Sequence, residues 1–301
     1  MKIYTNANLN KKHHKGVIAI GNFDGIHLGH QKVINEARKK AKSKKLPFGI
    51  ITFEPMPVMY FNSKIKNHRI NSLEQKKIQL KKLKLDFLII IKFNKIFSSL
   101  TAEKFIKEII YNKTKCSFLY VSKNFKFGYK RRGNIQTLKK YEKLYNFKSL
   151  ITKPYKKNKK IISSTLIRKK IINGKIREAN TLLNREWKIK GRVIKGRQLG
   201  RKIGFPTCNL PLNDYIVPRN GVYSVQVKGS NFNKKGIANV GFRPTFNGKK
   251  LLLETNIFGI DKNLYNKEID ISFKKFIRRE KKFKDLEHLK KQIKIDIKKA
   301  K

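Results

Sequence analysis

The sequence predicts two domains of different class, an α/β domain with a parallel sheet followed by an all-β domain. With 301 residues, the chain is long enough for two domains of about 150 residues each. In the first half, strand-like and helix-like segments alternate, which is typical of a parallel sheet wrapped by helices. In the second half, strand-like segments follow one another without helices between them, which favours an antiparallel barrel or sandwich.

The first half contains four strand-like segments with helix-like segments between them. The third strand includes the apolar run 87–91, as expected of a strand that is buried on both faces. Ser72 is suited to open a helix with Gln75 as its capping-box partner, and Thr101 is suited to cap the next helix. The predicted strands are 16–20, 48–53, 85–93 and 117–121, and the predicted helices are 31–45, one from 72 onward, 102–111 and 134–145.

The pattern changes after two further helices, 164–172 and 175–183. The final segment, 285–300, is again helical, with apolar residues on one face. We place the domain boundary so that residues 1–183 form the first domain and residues 184–301 the second. The predicted strands of the second domain are 188–194, 222–228, 236–240, 251–258 and 268–276.

The charge of the chain is strongly positive, with 74 Lys+Arg against 19 Asp+Glu and a net charge of +55. Taken alone, this balance indicates a nucleic-acid partner. Lysine is spread over all predicted elements, however, together with abundant Ile, Asn, Phe and Tyr, which is typical of a compositionally biased proteome rather than of a binding stripe. We therefore do not expect nucleic-acid binding, although the positive field favours anionic substrates such as ATP.

The cysteine content and the hydropathy indicate a cytoplasmic protein. Cys116 and Cys208 are far apart and form no CxxC pair, so we expect neither a disulfide framework nor a zinc site. Residues 1–15 contain no apolar segment of the kind found in secretory signals. No run approaches the roughly 18 apolar residues that a membrane span needs, so no membrane association is expected.

A phosphate-binding motif, GNFDGIHLGH, lies at residues 21–30, between a predicted strand and a predicted helix. Open α/β sheets bind anions at such a place because the helix N-terminus presents free N–H groups. Gly25 and Gly29 allow the backbone to approach a ligand closely. His27 and His30 are three residues apart, so both imidazoles can lie on one face of the first turn and donate hydrogen bonds to phosphate oxygens.

The HxGH pattern at this place resembles the adenylyltransferase superfamily, and GNFDGIHLGH resembles the bacterial bifunctional riboflavin kinase/FAD synthetase family. Three more segments agree in order: 52–57 (TFEPMP, where the family usually has His at position 56), 124–128 (NFKFG) and 162–168 (ISSTLIR). The resemblance implies that His27 and His30 are catalytic and that Asn124, Phe125 and Phe127 contact the flavin. The ATP-binding residues that it implies are Gly21, Phe23, Gly25, Gly29, Ser164, Thr165 and Arg168.

A second phosphate-binding motif occupies residues 196–210, GRQLGRKIGFPTCNL. Three glycines and two arginines within nine residues are suited to cradle phosphates. The PTCN sequence resembles the PTAN motif of riboflavin kinases, with Cys208 in place of alanine. We expect Cys208 to be an inert packing residue.

The same resemblance implies the roles of residues in the second domain. Thr207 and Asn209 would hold Mg²⁺ and the phosphates of ATP, since oxygen ligands suit a hard cation. Glu254, in a predicted strand, would act as the general base on the riboflavin 5′-hydroxyl. The remaining residues implied are Gly200, Arg201 and Gly204 for ATP and Arg243 and Arg278 for the flavin.

The resemblance covers residues 15–298 and implies a Rossmann-like nucleotidyltransferase domain, a six-stranded antiparallel β-barrel and a terminal helix. The chain would phosphorylate riboflavin to FMN and then transfer an adenylyl group from ATP to FMN, giving FAD and pyrophosphate. Two alternatives remain: an HxGH-class adenylyltransferase with a different acceptor, and a basic nucleic-acid-binding protein on a nucleotide-binding scaffold. The first leaves the second domain unexplained, and the second explains little beyond the charge.

Overall fold

Contacts between Cα atoms divide the chain into two compact units. The first unit comprises Met1–Lys66 and Lys76–Ser163, and the second comprises Asn67–Gln75 and Ser164–Lys301. The predicted boundary between residues 183 and 184 separates the two proposed activities rather than two compact units, and it stays a prediction. The structure is a computed structural model that describes residues 1–196, 198–245, 248–260 and 262–301, without the side chains of residues 202, 242–245 and 248–250.

The first unit is built on a six-stranded sheet whose neighbouring strands are all parallel. The strands are β1 (Lys2–Tyr4), β2 (Val17–Ile20), β3 (Phe48–Glu54), β4 (Phe87–Lys92), β5 (Phe118–Ser122) and β6 (Lys148–Thr152). Their order is β1-β4-β3-β2-β5-β6, so the chain adds β3 and β4 on one side of β2 and then β5 and β6 on the other side. Ligands bind at such switch points in open α/β sheets. The predicted α/β class is confirmed. A small hairpin, β7 (Lys156–Lys157) and β8 (Lys160–Ile161), follows β6.

Two helices of the first half begin at the caps that the sequence predicts, Ser72 and Thr101. Ser72 Oγ accepts from the Gln75 N–H at 3.2 Å, and Gln75 Oε1 accepts from the Ser72 N–H at 3.1 Å, which completes the predicted capping box. Thr101 Oγ1 accepts from the Lys104 N–H at 3.1 Å. The helices are α1 (Leu28–Lys44), α2 (Pro57–Phe61), α3 (Leu73–Lys82), α4 (Lys95–Ser98), α5 (Ala102–Lys104), which continues as a π-helix (Phe105–Thr114), and α6 (Ile135–Tyr141).

The core of this unit lies on both faces of the sheet. Strand β4 is buried over its first five residues, as the apolar run predicts. The pattern did not predict β1 and β6, which are the two edge strands. Both are short, and each has exposed residues, so they lack the continuous apolar run that marks the central strands.

A buried histidine, His13, predicts that the stability of this unit depends on pH. His13 is 7% exposed, its Nδ1 lies 2.8 Å from the Tyr4 hydroxyl, and its ring stacks on Phe87. Desolvation, followed by the charge of Lys12, lowers the pKa of His13 below its usual 6.5, while Asp86 opposes the shift. Below pH 6.5 the unfolded chain takes up a proton that the folded chain does not. We expect the free energy of unfolding to decrease as pH falls from about 6.5 through the lowered folded pKa.

The measurement is urea unfolding from pH 8 to pH 5, and the control is His13→Gln, which does not titrate. The difference in unfolding free energy between the two proteins isolates the contribution of His13 from those of the other histidines. A constant difference across this range would contradict the prediction.

The second unit is built on a six-stranded antiparallel sheet, β9 (Lys188–Arg192), β10 (Cys208–Pro211), β11 (Gly221–Lys228), β12 (Asn233–Thr245), β13 (Gly248–Ile257) and β14 (Glu268–Arg278). Its order is β10-β13-β12-β11-β14-β9, and a bridge between Ile194 and Asn209 links the two outer strands, so the barrel is nearly closed. The predicted all-β class and the six strands of the barrel are confirmed. The five strands predicted from the pattern are all present, and β10 is the strand that the pattern missed.

Helices flank the barrel, namely α7 (Ser164–Ile172), α8 (Ile176–Leu183), α9 (Leu199–Lys202) and the terminal α10 (Leu286–Ala300). Asp285 caps α10, because its Oδ1 accepts from the His288 N–H at 2.9 Å. At the other end, Ser224 Oγ of β11 donates to the Ala300 carbonyl at 3.1 Å. In the part of the chain that the structure describes, no helix combines the length and the apolarity of a membrane span.

Candidate functional site

The loop between β2 and α1 carries the HxGH motif at the carboxyl edge of the parallel sheet. Three of its residues have positive φ: Phe23 at 46°, Gly25 at 83° and Ile26 at 40°. Only Gly25 adopts such a conformation without strain, so tertiary contacts must hold the other two. Strain of this kind is concentrated at functional sites.

The two histidines lie together at the start of α1. His27 is the N-cap, and its Nδ1 accepts from the His30 N–H at 3.3 Å. Because Nδ1 accepts, the proton of the neutral ring lies on Nε2. The two rings stack with centroids 3.6 Å apart, and Phe23 meets His30 edge to face at 5.3 Å. A side chain at Gly29 would contact the His27 ring at 3.1 Å, so glycine keeps this corner open.

A buried lysine that the sequence analysis missed supports this loop. Lys76 is 1% exposed, and its Nζ donates to the Asn22 carbonyl at 2.9 Å and lies 3.4 Å from Thr52 Oγ1. Thr52 Oγ1 also donates to the Asn22 carbonyl, at 3.1 Å. The sequence could not distinguish this lysine from its many neighbours of the same type.

The predicted flavin-side residues lie after β5. Asn124 is exposed, Phe125 is half-buried, and Phe127 is 7% exposed within the core of the unit. Phe125 stacks on Phe127 with centroids 5.4 Å apart, and Phe127 packs on Phe105. Phe125 therefore offers the more accessible ring of the pair.

An aromatic cluster that was not predicted follows the carboxyl ends of β3 and β4. Its members contact one another edge to face or at a tilt, with centroids 5.2–6.1 Å apart. Phe61 is 68% exposed, so the cluster presents an apolar aromatic surface to solvent. The cluster consists of Phe53, Tyr60, Phe61, Phe93 and Phe97.

The three predicted ATP-binding residues of the ISSTLIR segment, Ser164, Thr165 and Arg168, belong to the second compact unit. Ser164 is the first residue of α7, and Thr165 in the same turn is exposed. Arg168 donates from Nε to the His68 carbonyl at 2.8 Å. Their predicted contacts with ATP phosphates stay predictions.

The barrel contains a cavity of about 1150 Å³ that collects most of the residues predicted for the second domain. Its lining is largely apolar and includes Leu286, Leu289 and Ile293 of α10. A large apolar cavity with a few converging polar groups is typical of a small-molecule site. The predicted residues that line it are Gly200, Thr207, Asn209, Glu254 and Arg278.

Glu254 lies at the centre of a polar row across three strands. In the sheet register it is directly opposite Asn209 of β10 on one side and Asn239 of β12 on the other. All three residues line the large cavity. Among the described residues, Asn209 Oδ1 and Asn239 Oδ1 are buried without a hydrogen-bond partner. Unpartnered buried oxygens are costly, which indicates that a ligand or an ion completes this row.

A second cavity, of about 120 Å³, is lined by part of the same 198–207 loop. Its lining includes the predicted Arg201, together with Lys262 and Tyr265, and Gln198 and Thr207 line both cavities. The Gln198 amide donates to the Tyr265 hydroxyl at 3.1 Å. Thr207 therefore borders both cavities.

The glycines of this loop have distinct roles. A side chain at Gly200 would lie 2.4 Å from the Phe205 carbonyl, so the turn needs glycine there. Gly204 has φ of 87°, which favours glycine as well. Cys208 follows, and burial raises the pKa of its thiol to about 12, as expected of an inert packing residue.

Arg278 of β14 forms a salt bridge with the terminal helix α10. Its guanidinium donates to both oxygens of Asp296 at 2.7–3.0 Å, and Asp296 is 1% exposed. Its flavin contact stays a prediction, although it lines the cavity. The backbone of Arg243 lies in β12, whereas its side chain, with the predicted flavin contact, lies outside what the structure describes.

The fold and the two sites define a two-domain transferase, with a nucleotidyltransferase-like unit and a kinase-like barrel. Residues 9–166 match the family model described as FAD synthetase, and residues 183–301 match the one described as riboflavin kinase. The chain belongs to the bifunctional riboflavin kinase/FMN adenylyltransferase family.

Relatives of that name cover almost the whole chain. The protein of Buchnera aphidicola subsp. Schizaphis graminum is 43% identical over 96% of this chain and 94% of its own length. The protein of Haemophilus influenzae is 40% identical over 94% of this chain and 92% of its own length. A crystal structure described as a macrolide-efflux protein from Streptococcus pneumoniae has a TM-score of 0.87 at 29% identity, covering 99% of this chain and 97% of that one. The resemblance found in the sequence is confirmed.

Proposed function

We propose that the barrel phosphorylates riboflavin with ATP and that the parallel-sheet unit adenylylates the resulting FMN. The observation that carries the kinase assignment is the row of Asn209, Glu254 and Asn239 in a large apolar cavity, beside a loop shared with a smaller cavity. The division into 1–183 and 184–301 is part of this proposal. Matches to two enzyme families, one in each half, support it over the nucleic-acid alternative and over a different acceptor.

In the proposed kinase reaction, the flavin ring occupies the large cavity, and the ATP phosphates bind at the loop that both cavities share. Glu254 accepts the proton of the riboflavin 5′-hydroxyl, and the oxygen attacks the γ-phosphorus while ADP leaves. The buried Asn209 Oδ1, which has no partner in the described residues, fits a hard cation, as does the hydroxyl of Thr207, which lines the same cavity. These two residues would hold Mg²⁺, which neutralises phosphate charge when bound.

In the proposed adenylyl transfer, an FMN phosphate oxygen attacks the α-phosphorus of ATP, and pyrophosphate leaves. His27 and His30 stabilise the developing phosphate charge, and the Phe23–Gly25 backbone approaches the nucleotide. The aromatic cluster at Phe61, together with Phe125, supports a flat apolar ring by stacking. Ser164, Thr165 and Arg168 are proposed to bind phosphates, since Arg168 carries a delocalised charge suited to their oxygens.

We further propose a cytoplasmic location, with riboflavin, FMN and ATP as the small-molecule substrates. Two free, buried cysteines are consistent with a reducing compartment. The positive charge of the chain would strengthen the binding of the two anionic substrates, FMN and ATP, at low ionic strength.

The test is a chromatographic product assay with purified protein, riboflavin, ATP and Mg²⁺. We expect FMN to appear first and FAD to follow, and FMN supplied directly to be converted to FAD. FMN that accumulates without FAD would refute the adenylyltransferase assignment. No FMN from riboflavin with folded protein would refute the kinase assignment.

Gly196→Ala is expected to impair phosphorylation by displacing Asn209. A side-chain carbon at Gly196 would lie 2.1 Å from Asn209 Nδ2, far inside van der Waals contact, so the amide must move. We expect at least about a tenfold fall in riboflavin phosphorylation, because a misplaced group of about 1 Å can cost up to a hundredfold. FMN adenylylation by the same protein serves as the control, and an unchanged phosphorylation rate would contradict the prediction.

A further inference from the structure

A single carbonyl oxygen in the HxGH loop receives two buried donors. Lys76 Nζ reaches the Asn22 carbonyl from α3 at 2.9 Å, and Thr52 Oγ1 reaches it from β3 at 3.1 Å. Lys76 is 1% exposed and Thr52 is fully buried. Placing a lysine ammonium in such a position is costly unless it is hydrogen-bonded, so these contacts fix both the lysine and the loop.

The orientation of the Asn22 carbonyl determines the conformation that follows. Because the peptide is planar, a carbonyl held towards Lys76 turns the Phe23 N–H to the opposite side. Phe23 has φ of 46°, a conformation that a bulky residue adopts only when its surroundings enforce it. The two hydrogen bonds to the Asn22 carbonyl help to hold Phe23 in this conformation.

The contacts continue from Phe23 to the histidines. The Phe23 ring is 2% exposed and meets His30 edge to face, with centroids 5.3 Å apart. His30 in turn stacks on His27 with centroids 3.6 Å apart. A continuous series of contacts therefore runs from the Lys76 ammonium to both imidazoles.

We propose that Lys76 is a positioning residue for adenylyl transfer. It acts through Asn22 and Phe23, which set the Phe23 N–H and the His30 ring, and it needs no contact with substrate. The proposal rests on the proposed function of this site as an adenylyltransferase.

The test is steady-state adenylylation of supplied FMN by Lys76→Met, Thr52→Val and the double variant. A displaced His30 ring weakens interactions with the transition state more than those with bound ATP. We expect kcat to fall about 10- to 100-fold for Lys76→Met, with a smaller change in KM. Thr52→Val should have a smaller effect in the same direction. The two effects should not multiply in the double variant, since both act on one carbonyl.

Two controls separate positioning from a general effect on folding. Lys81→Met changes an exposed lysine on the same helix and should leave kcat for FMN adenylylation unchanged. Riboflavin phosphorylation by each variant should also be unchanged.

If the unmutated protein makes no FAD from FMN, the proposed function fails rather than this inference. If it makes FAD and folded Lys76→Met is equally fast, the inference is wrong. If Lys76→Met does not fold, Thr52→Val decides: an unchanged kcat or a change in KM alone overturns the proposal, and a lower kcat supports it.

Discussion

Glu254→Gln is expected to abolish riboflavin phosphorylation while leaving FMN adenylylation intact. Glutamine keeps the size and shape of the side chain between Asn209 and Asn239, but an NH2 donor replaces one acceptor oxygen, and the amide cannot accept the hydroxyl proton. Loss of a general base typically costs about 10²- to 10⁴-fold in rate. We expect a loss of this size in kcat for FMN formation, measured by chromatography of the flavins.

The matched control is Glu287→Gln, which changes an exposed glutamate in the first turn of α10. It should phosphorylate riboflavin at the rate of the unmutated protein. Glu254→Gln should still convert supplied FMN to FAD, which shows that the chain is folded. If Glu254→Gln retained more than about a tenth of the kinase rate, Glu254 would not be the base.

His30→Ala is expected to stop the pathway at FMN. Removing one preorganised donor to a developing phosphate charge typically costs about 10²- to 10³-fold in kcat. His30 is the cleaner choice of the pair, because His27 also caps α1, and loss of a cap costs about 1 kcal/mol of stability. FAD formation from supplied FMN and ATP measures the effect.

His288→Ala, which changes an exposed histidine on α10, is the matched control and should make FAD normally. His30→Asn should recover part of the rate, since an amide can still donate a hydrogen bond. Riboflavin phosphorylation should be the same in all three variants. Normal FAD formation by His30→Ala would contradict the role of this histidine.

Local features of the fold could be predicted from the sequence, because short-range chemistry determines them. The caps at Ser72 and Thr101 depend on neighbours within three residues, and both are found where predicted. The central strands could be predicted from their apolar runs. The short strands β1, β6 and β10 could not, because their existence depends on pairing with distant strands.

In the two candidate sites as well, features set by neighbouring residues could be predicted, and features set by distant residues could not. The HxGH motif is contiguous, so its histidines could be placed on one helical turn from spacing alone. The polar row of Asn209, Glu254 and Asn239 depends on the register of three strands, and Asn239 had no predicted role. Lys76 could not be predicted for a different reason. Lysine occurs throughout the sequence, and only the folded chain shows which lysine is buried.

The burial of Lys76 also makes it a natural chemical probe. Among the side chains that the structure describes, it is the only lysine that is buried, while amine-reactive reagents modify accessible lysines quickly. Acetylation of Lys76 therefore requires the first unit to open locally, and its rate, followed by mass spectrometry, reports the free energy of that opening. Because a ligand that binds the closed form suppresses opening, protection of this one amine by ATP would measure nucleotide binding without any turnover.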